Sequence, residues 1–541
     1  MVLYPFLIGS IIFAIAYVIY GSILTKKFNL NNDNPTPAHT MEDGVDYVPT
    51  KPAVLFGHHF SSIAGAGPIV GPILGAVMFG WLPALIWIII GTIFIGGVHD
   101  FSSIVASIRH KARSIAEIAK EYMGTTAYTI FLLFIWLTLV YVLIVFLDLT
   151  ATTFAKNGAV ASTSVFYILL AVIFGFTLYK INLKLVYATL IFVPLIFFSI
   201  YLGNVLPINL SPIFFKSQKI LIAVKKNWSI FLLIYVFFAS TLPVWTLLQP
   251  RDYLSSFLLY SSVLVGAIGI IFGGFHISYP AYTSFYNNHQ SLFPILFVTI
   301  ACGAISGFHS LVASGTTSKQ LNKETDAKVI GYGGMIMEGI VALIALGTIM
   351  IAVKGSGKVN AIAAYASGIG KFSSILGIPQ KFGATFGLLV LSAFLLTTLD
   401  TATRLARYVL QELFNWHIQK TRFVATFITL ILPAIFVFID IKGPNGTILP
   451  AWKAIWPVFG ASNQLLAMLV LLVISVWLKK LNKNALITII PLIFMFAVTI
   501  TALAQLILIH KLSAVGIIAI VLFVLALFLV ATSYKILFEQ K

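Results

Sequence analysis

About fifteen stretches of roughly twenty apolar residues follow one another along this chain, the first near Leu3–Ile23 and the last near Ala514–Ser533, each matched to the hydrocarbon thickness of a bilayer. A backbone that crosses lipid must satisfy its own hydrogen bonds, so segments of this length predict an all-α polytopic membrane protein. Charged residues make up 9% of the chain, against about a quarter in soluble domains, which excludes a water-soluble globule. A multi-pass protein of the cell membrane is expected, with the lipid bilayer as its first partner. Met1–Tyr20 lacks the basic start and Ala-x-Ala exit of a cleavable signal peptide.

The net charge of +18 does not point to nucleic acid, because no soluble domain exists to carry a binding face. The basic residues instead alternate by loop: Lys26 and Lys27; Arg109, Lys111, Arg113 and Lys120; Lys319, Lys323 and Lys328; Arg404, Arg407, Lys420 and Arg422; Lys479, Lys480 and Lys483. Such loops face the cytoplasm. After Arg113, residues Ser114–Tyr122 have the spacing of an interfacial amphipathic helix. The single cysteine, Cys302, excludes an internal disulfide and a thiolate cluster, and no cofactor is expected.

Within the second apolar window, Phe56–Pro72 cannot be a continuous helix: Pro68 and Pro72 remove donors, and Gly65, Gly67, Gly71 and Gly75 weaken the ladder. Discontinuous helices of this kind hold substrates and ions in secondary transporters. Gly67-Pro68 reads as the restart of an outer half-helix, whose following amides, at Ile69 and Val70, suit a carboxylate. The carbonyls of Ser62, Ile63 and Ala64 would then suit a cation. The alternative is that Gly67, Gly71 and Gly75 form a ridge for close packing.

The seventh span, Trp228–Gln249, is interrupted at Ser240–Trp245 and closes on Gln249-Pro250-Arg251-Asp252-Tyr253. Its odd offset from the first broken span predicts an inverted repeat, residues 53–203 against 228–408, in a LeuT-like 5+5 core. The expected units are residues 1–52 as a first helix and polar loop, 53–420 as the transporter core, and 421–541 as further transmembrane helices. Pro243, Trp245 and Gln249 would shape or gate a solute pocket with Gly65, Gly67, Pro68, Ile69 and Val70.

His58, His59, His99 and Asp100 are candidates for proton coupling, since histidine titrates near neutrality and a buried acid can relay a proton. A buried histidine bonded to a neighbour is the plainer alternative. The His-His pair has no zinc spacing, so no metal site is read here. Span nine, Ile300–Ser318, carries Ser306, His309, Ser310, Ser314 and Thr317; its hydroxyls would face the broken second span and hold sodium, or serve protons instead, unless they bond their own helix carbonyls. Glu338 has no cationic neighbour in sequence, whereas Asp400 with Arg404 and Asp252 with Arg251 read as cytoplasmic-end ion pairs. The polar island Trp456-Pro457 and Ser462-Asn463-Gln464 has no assigned purpose.

Asp46-Tyr47-Val48-Pro49-Thr50, Gly57-His58-His59-Phe60, Ala64–Pro68, Leu242–Trp245, Gln249–Tyr253, Ser306–His309, Ser314–Thr317 and Thr397–Arg404 together resemble the carbon starvation protein A (CstA) family of membrane transporters. The resemblance implies uptake of peptides, or of pyruvate with protons, during nutrient limitation, and a relation to the amino acid–polyamine–organocation superfamily. The expectation is therefore a secondary transporter, not an enzyme, that takes up a small carboxylate-bearing solute with H+. A sodium-coupled peptide or amino acid transporter is the alternative. A membrane metalloenzyme using His58, His59 and His99, or a channel, stands further off.

Overall fold

The structure, a computed structural model, describes residues 1–43, 47–210, 220–243, 246–287, 290–353, 359–416, 421–439, 441–442 and 448–538. In chain order its helices are α1 Leu3–Lys27, α2 Pro37–Thr40, α3 Pro52–Ile63, α4 Gly67–Phe79, α5 Trp81–Gly91, α6 Gly97–Arg109, α7 Ile115–Met123, α8 Thr125–Lys156, α9 Gly158–Tyr179, α10 Leu185–Val205, α11 Ile220–Thr241 and α12 Leu248–Phe272. They continue as α13 Leu292–Thr299, α14 Ala301–Ala304, α15 Gly307–Val312, α16 Gly333–Met350, α17 Ala361–Ser374, α18 Gln380–Leu413, α19 Thr421–Phe438, α20 Ala451–Lys480, α21 Leu486–His510 and α22 Ala514–Phe538. π-Helical turns join α5 to α6, extend α15 through Thr317 and precede α16 from Lys328.

Among the described residues twelve helices are long and apolar enough to cross a membrane, thirteen if α3 and α4, bent by 46° at their break, count as one span. The count of fifteen is not reached on this criterion. Leu292–Thr317 is divided into short pieces, and of the apolar helix α22 only Val515–Ala531 enters the comparison.

The basic loops converge on one face, as the sequence predicts. Arg109 pairs with Glu324 at 3.3 Å, and Glu324 also accepts from the Asn31 amide at 3.0 Å. The polar segment after α1 straps this face: Thr36 donates to the Leu321 carbonyl at 2.6 Å and the Thr50 amide to the Gln320 carbonyl at 3.1 Å. The amphipathic α7 forms as expected, with Ser114 capping it through the Glu117 amide at 3.2 Å and Ile115, Ala116, Ile118 and Ala119 buried.

Two successions of elements match in kind. A broken span (α3–α4), a full span (α5–α6), a short amphipathic helix (α7) and a 32-residue helix (α8) are mirrored by a broken span (α13–α15), a full span (α16), a short helix (α17) and a 34-residue helix (α18). Corresponding members run in opposite directions. Tyr128 at the start of α8 donates to Glu412 at the end of α18 at 2.5 Å, and Lys226 near the start of α11 donates to the Phe438 carbonyl that ends α19 at 3.2 Å. The seventh span expected at Trp228–Gln249 is not one interrupted helix: α11 ends at Thr241 and α12 starts at Leu248, whereas Leu292–Thr317 is divided into short helices. α9 and α10 pack on each other as an additional hairpin.

α20 does not sit at the periphery, where an appended segment would. All of its most apolar stretch is buried, and it packs against α8, α15 and α21.

Candidate functional site

At the break in the second span, α3 ends at Ile63 and α4 starts at Gly67. Pro68 occupies the first turn, where its missing N–H costs nothing. The amides of Ile69 and Val70, expected to be open to an anion, are both taken by the Ala66 carbonyl, at 3.1 and 2.8 Å. The amides of Ala66 and Gly67 instead have no protein acceptor among the described residues. The Ile63 carbonyl is not left for a cation either, because it accepts from Gly65 N at 2.8 Å.

The glycine ridge is real as well. A Cβ on Gly67 would lie 2.0 Å from the Cys302 Cβ, one on Gly71 2.7 Å from the Thr299 carbonyl, and one on Gly75 2.6 Å from the Ile300 side chain. The glycines therefore let α4 approach Thr299–Cys302 closely, at Gly71 backbone to backbone.

A small cavity remains at their junction, bordered by Gly65, Gly67, Cys302, Ser306, Thr398 and Asn463 and walled by Phe146 and Phe459. Its volume is about 20 Å³, room for one or two waters. Thr398 Oγ1 is buried here without a hydrogen-bond partner. Asn463, from the polar island left without a purpose, holds the unwound strand of the ninth span: its Oδ1 accepts from the Phe308 amide at 3.0 Å and its Nδ2 donates to Ser306 Oγ at 3.1 Å. Sequence spacing could not have found it, because α20 is more than a hundred residues away. An Asn in a fully apolar run was the available signal.

Pro243 is exposed and borders no part of this cavity. Trp245 and the side chain of Gln249 lie outside the described residues. The end of α11 is instead capped by α18: Arg404 donates to the carbonyls of Ala239 and Leu242 at 2.9 and 2.7 Å, and Arg407 to that of Ser240 at 2.7 Å.

Beside the cavity lies a buried relay. His99 Nδ1 and His309 Nδ1 each stand 2.8 Å from one oxygen of Asp100. His309 Nε2 stands 3.2 Å from Glu338 Oε2, at ion-pair distance but off hydrogen-bond geometry. All four side chains are essentially inaccessible. His99 and Glu338 each lie about 15 Å, at 1.5 Å per residue, from the basic ends at Arg109 and Lys328, which is mid-bilayer. With Asp100 ionised, His309 must donate through Nδ1. A hydrogen bond across this gap would pair a neutral His309 with a protonated Glu338, or a charged His309 with an ionised one, and would hold one proton in either case.

His59 joins the edge of this group through Thr317 Oγ1 at 2.8 Å. His58 turns away, 3.8 Å from Asp252. His58, His59 and His99 therefore have different partners, which is not a ligand set. Ser310 and Ser314 follow the plainer course, donating to the carbonyls of Gly307 and Ser310 at 2.7 Å each.

A second charged group is built around Arg251, which is fully buried. Arg251 pairs with Asp400 and Asp252, the latter at 3.3 Å, and donates to Tyr235 at 2.7 Å, while Tyr235 donates to Asp400 at 2.7 Å. The expected Asp252–Arg251 pair forms. The Asp400–Arg404 pair does not, since Arg404 is occupied with α11 carbonyls and Arg251, distant in sequence, reaches Asp400 first.

Twelve or thirteen membrane-spanning helices around a broken span and a buried acid–histidine group make a multi-pass membrane protein, and its relatives make it a transporter of the cell membrane. The carbon starvation protein CstA family model matches residues 1–364 and 352–502. The chain is 34% identical to the peptide transporter CstA of Escherichia coli strain K12, over 91% of this chain and 79% of that one. It is 33% identical to the peptide transporter CstA of Bacillus subtilis strain 168 (90% and 87%) and 32% identical to the pyruvate/proton symporter BtsT of E. coli (91% and 80%). This chain belongs to the carbon starvation protein CstA family and is a transporter, not an enzyme. Among solved structures, a crystal structure of the Eremococcus coleocola manganese transporter matches at a TM-score of 0.45 and 12% identity, covering 92% of this chain and 99% of that one.

Proposed function

We propose that this protein takes up a small carboxylate-bearing solute together with protons, binding it at the junction of the two broken spans. The observation that carries this reading is the buried His309–Glu338 contact at 3.2 Å, close to a cavity bordered by Gly67, whose amide, like that of the preceding Ala66, has no protein acceptor among the described residues. A carboxylate would accept from those amides and from Thr398, with Asn463 and Ser306 alongside. Pro68 sets the angle of the restart. His99, Asp100, His309 and Glu338 would carry the coupling proton, with His59 and Thr317 at their edge.

The cavity volume of about 20 Å³ corresponds to an occluded state, so the solute enters only as the core opens. Relatives named as a pyruvate/proton symporter and as peptide transporters support both solute classes.

We assign the core to a LeuT-like inverted repeat with halves 52–272 and 292–480, α9–α10 being inserted in the first. The antiparallel pairs α8–α18 and α11–α19 and the central position of α20 support it. The test is uptake of labelled pyruvate into proteoliposomes under an imposed proton gradient, with and without sodium and with dipeptides as competitors. Accumulation that collapses with the proton gradient is expected. Accumulation driven by sodium alone would overturn the coupling reading.

A further inference from the structure

We infer that the face opposite the basic loops carries a second, outer site for a carboxylate anion, formed by Lys156 and Lys381 at the mouth of the seam between α8 and α18. It rests on the reading that the transported solute bears a carboxylate. An open cavity of about 620 Å³ lies there, bounded by the end of α8 and the starts of α17 and α18. Both lysines are in its lining, no Asp or Glu is, and neither lysine has an acidic partner among the described residues. Outer faces of membrane proteins ordinarily carry few Lys and Arg, so two unpaired cations in one recess are not accounted for by topology.

Three helix starts add to the positive potential. Asn157 opens α9 and Asn360 opens α17, each capping with its side chain, while α18 begins at Gln380 with no side-chain cap. Each contributes partial positive charge at its first turn.

The outer recess stands directly over the inner cavity. On α18, Leu388 lines the first and Thr398 the second, about 15 Å apart along the helix axis. On α8, Thr153 and Phe146 line them in the same order, seven residues or about 10 Å apart. Leu391 and Leu395 lie between, fully buried. A hydrated anion fits the outer recess and not the small inner one, so Lys156 and Lys381 would concentrate it at the entrance. Focusing of this kind raises encounter rates by about tenfold or more and weakens with salt.

The test needs a readout that does not depend on transport. In a Ser367→Cys variant, which places a thiol in this recess, labelling by an anionic methanethiosulfonate should outpace that by a cationic one. Adding Lys156→Gln and Lys381→Gln should reduce that ratio by about tenfold, and Lys156→Arg with Lys381→Arg should keep it. The unaltered chain, whose only thiol is the half-buried Cys302 of the inner cavity, reports the labelling to be subtracted. In proteoliposomes the double Gln variant should raise KM for pyruvate by about tenfold with kcat unchanged, the difference shrinking at high salt. No anionic preference, or a lost preference with KM unaltered, would overturn the outer site. A full anionic preference in a protein that moves no carboxylate would uphold the outer site and overturn the transport reading.

Discussion

The two buried charged groups are alike in burial and opposite in what they can do. Around Arg251, a guanidinium that never gives up its proton faces Asp400 and Asp252, so the charge is fixed. Around His309, two carboxylates face only imidazoles, so the charge changes whenever one proton moves. Both groups tie together distant helices, but the first can serve only as a lock. The second can couple.

The largest effect is expected from breaking the lock. Arg251→Leu leaves Asp400 and Asp252 buried without a cation, a loss of about 3–5 kcal/mol, to be measured as thermal unfolding of the detergent-purified protein. Unaltered melting with transport lost would make Arg251 a moving part and erase the contrast. Next in size is Gly67→Ala, whose Cβ meets Cys302 and should destabilise by about 1–3 kcal/mol while abolishing uptake. Adding Cys302→Gly removes the clash, and if melting temperature and uptake do not recover together, the contact is not what restricts position 67.

The relay gives the next test. Glu338→Gln takes away the second proton position, so a gradient of one pH unit, which drives about tenfold accumulation for one proton per solute, should drive none. Exchange of labelled for unlabelled solute should persist. Accumulation by this variant equal to that of the unaltered protein would remove Glu338 from the coupling path. The smallest effect is expected at Ser310→Ala and Ser314→Ala, whose hydroxyls only back-bond to their own helix, with changes within about 0.5 kcal/mol. Sodium-dependent uptake lost in either variant would restore the oxygen-cage reading.

The members of this buried acid–histidine group were legible in the chain, because His99, Asp100, His309 and Glu338 each break an apolar run where an ionisable group is costly. Their mutual contact was not, since His309 and Asp100 are joined only by packing of α15 on α6. The break at Gly67-Pro68 was equally readable, but its consequence was misplaced by a residue or two: which amides stay open depends on where the helix closes its first bond. Asp400 shows the reverse error. Arg404 one turn away was the reasonable partner, and the fold gave Arg404 three-dimensional work at the end of α11 while bringing Arg251 to Asp400.

What the sequence alone determined is therefore what local chemistry in lipid dictates: membrane-spanning helices, the side on which the basic loops lie, a broken second span, and a set of buried acids and histidines each needing a partner. Which partner each received, that Leu292–Thr317 is divided into short helices packed against the broken second span, and that Asn463 of α20 borders the central cavity were decided by tertiary structure. The reason is physical. Hydrophobic periodicity and proline act within a turn or two of chain, whereas pairing, register of the two halves and cavity walls are set by contacts between segments a hundred or more residues apart.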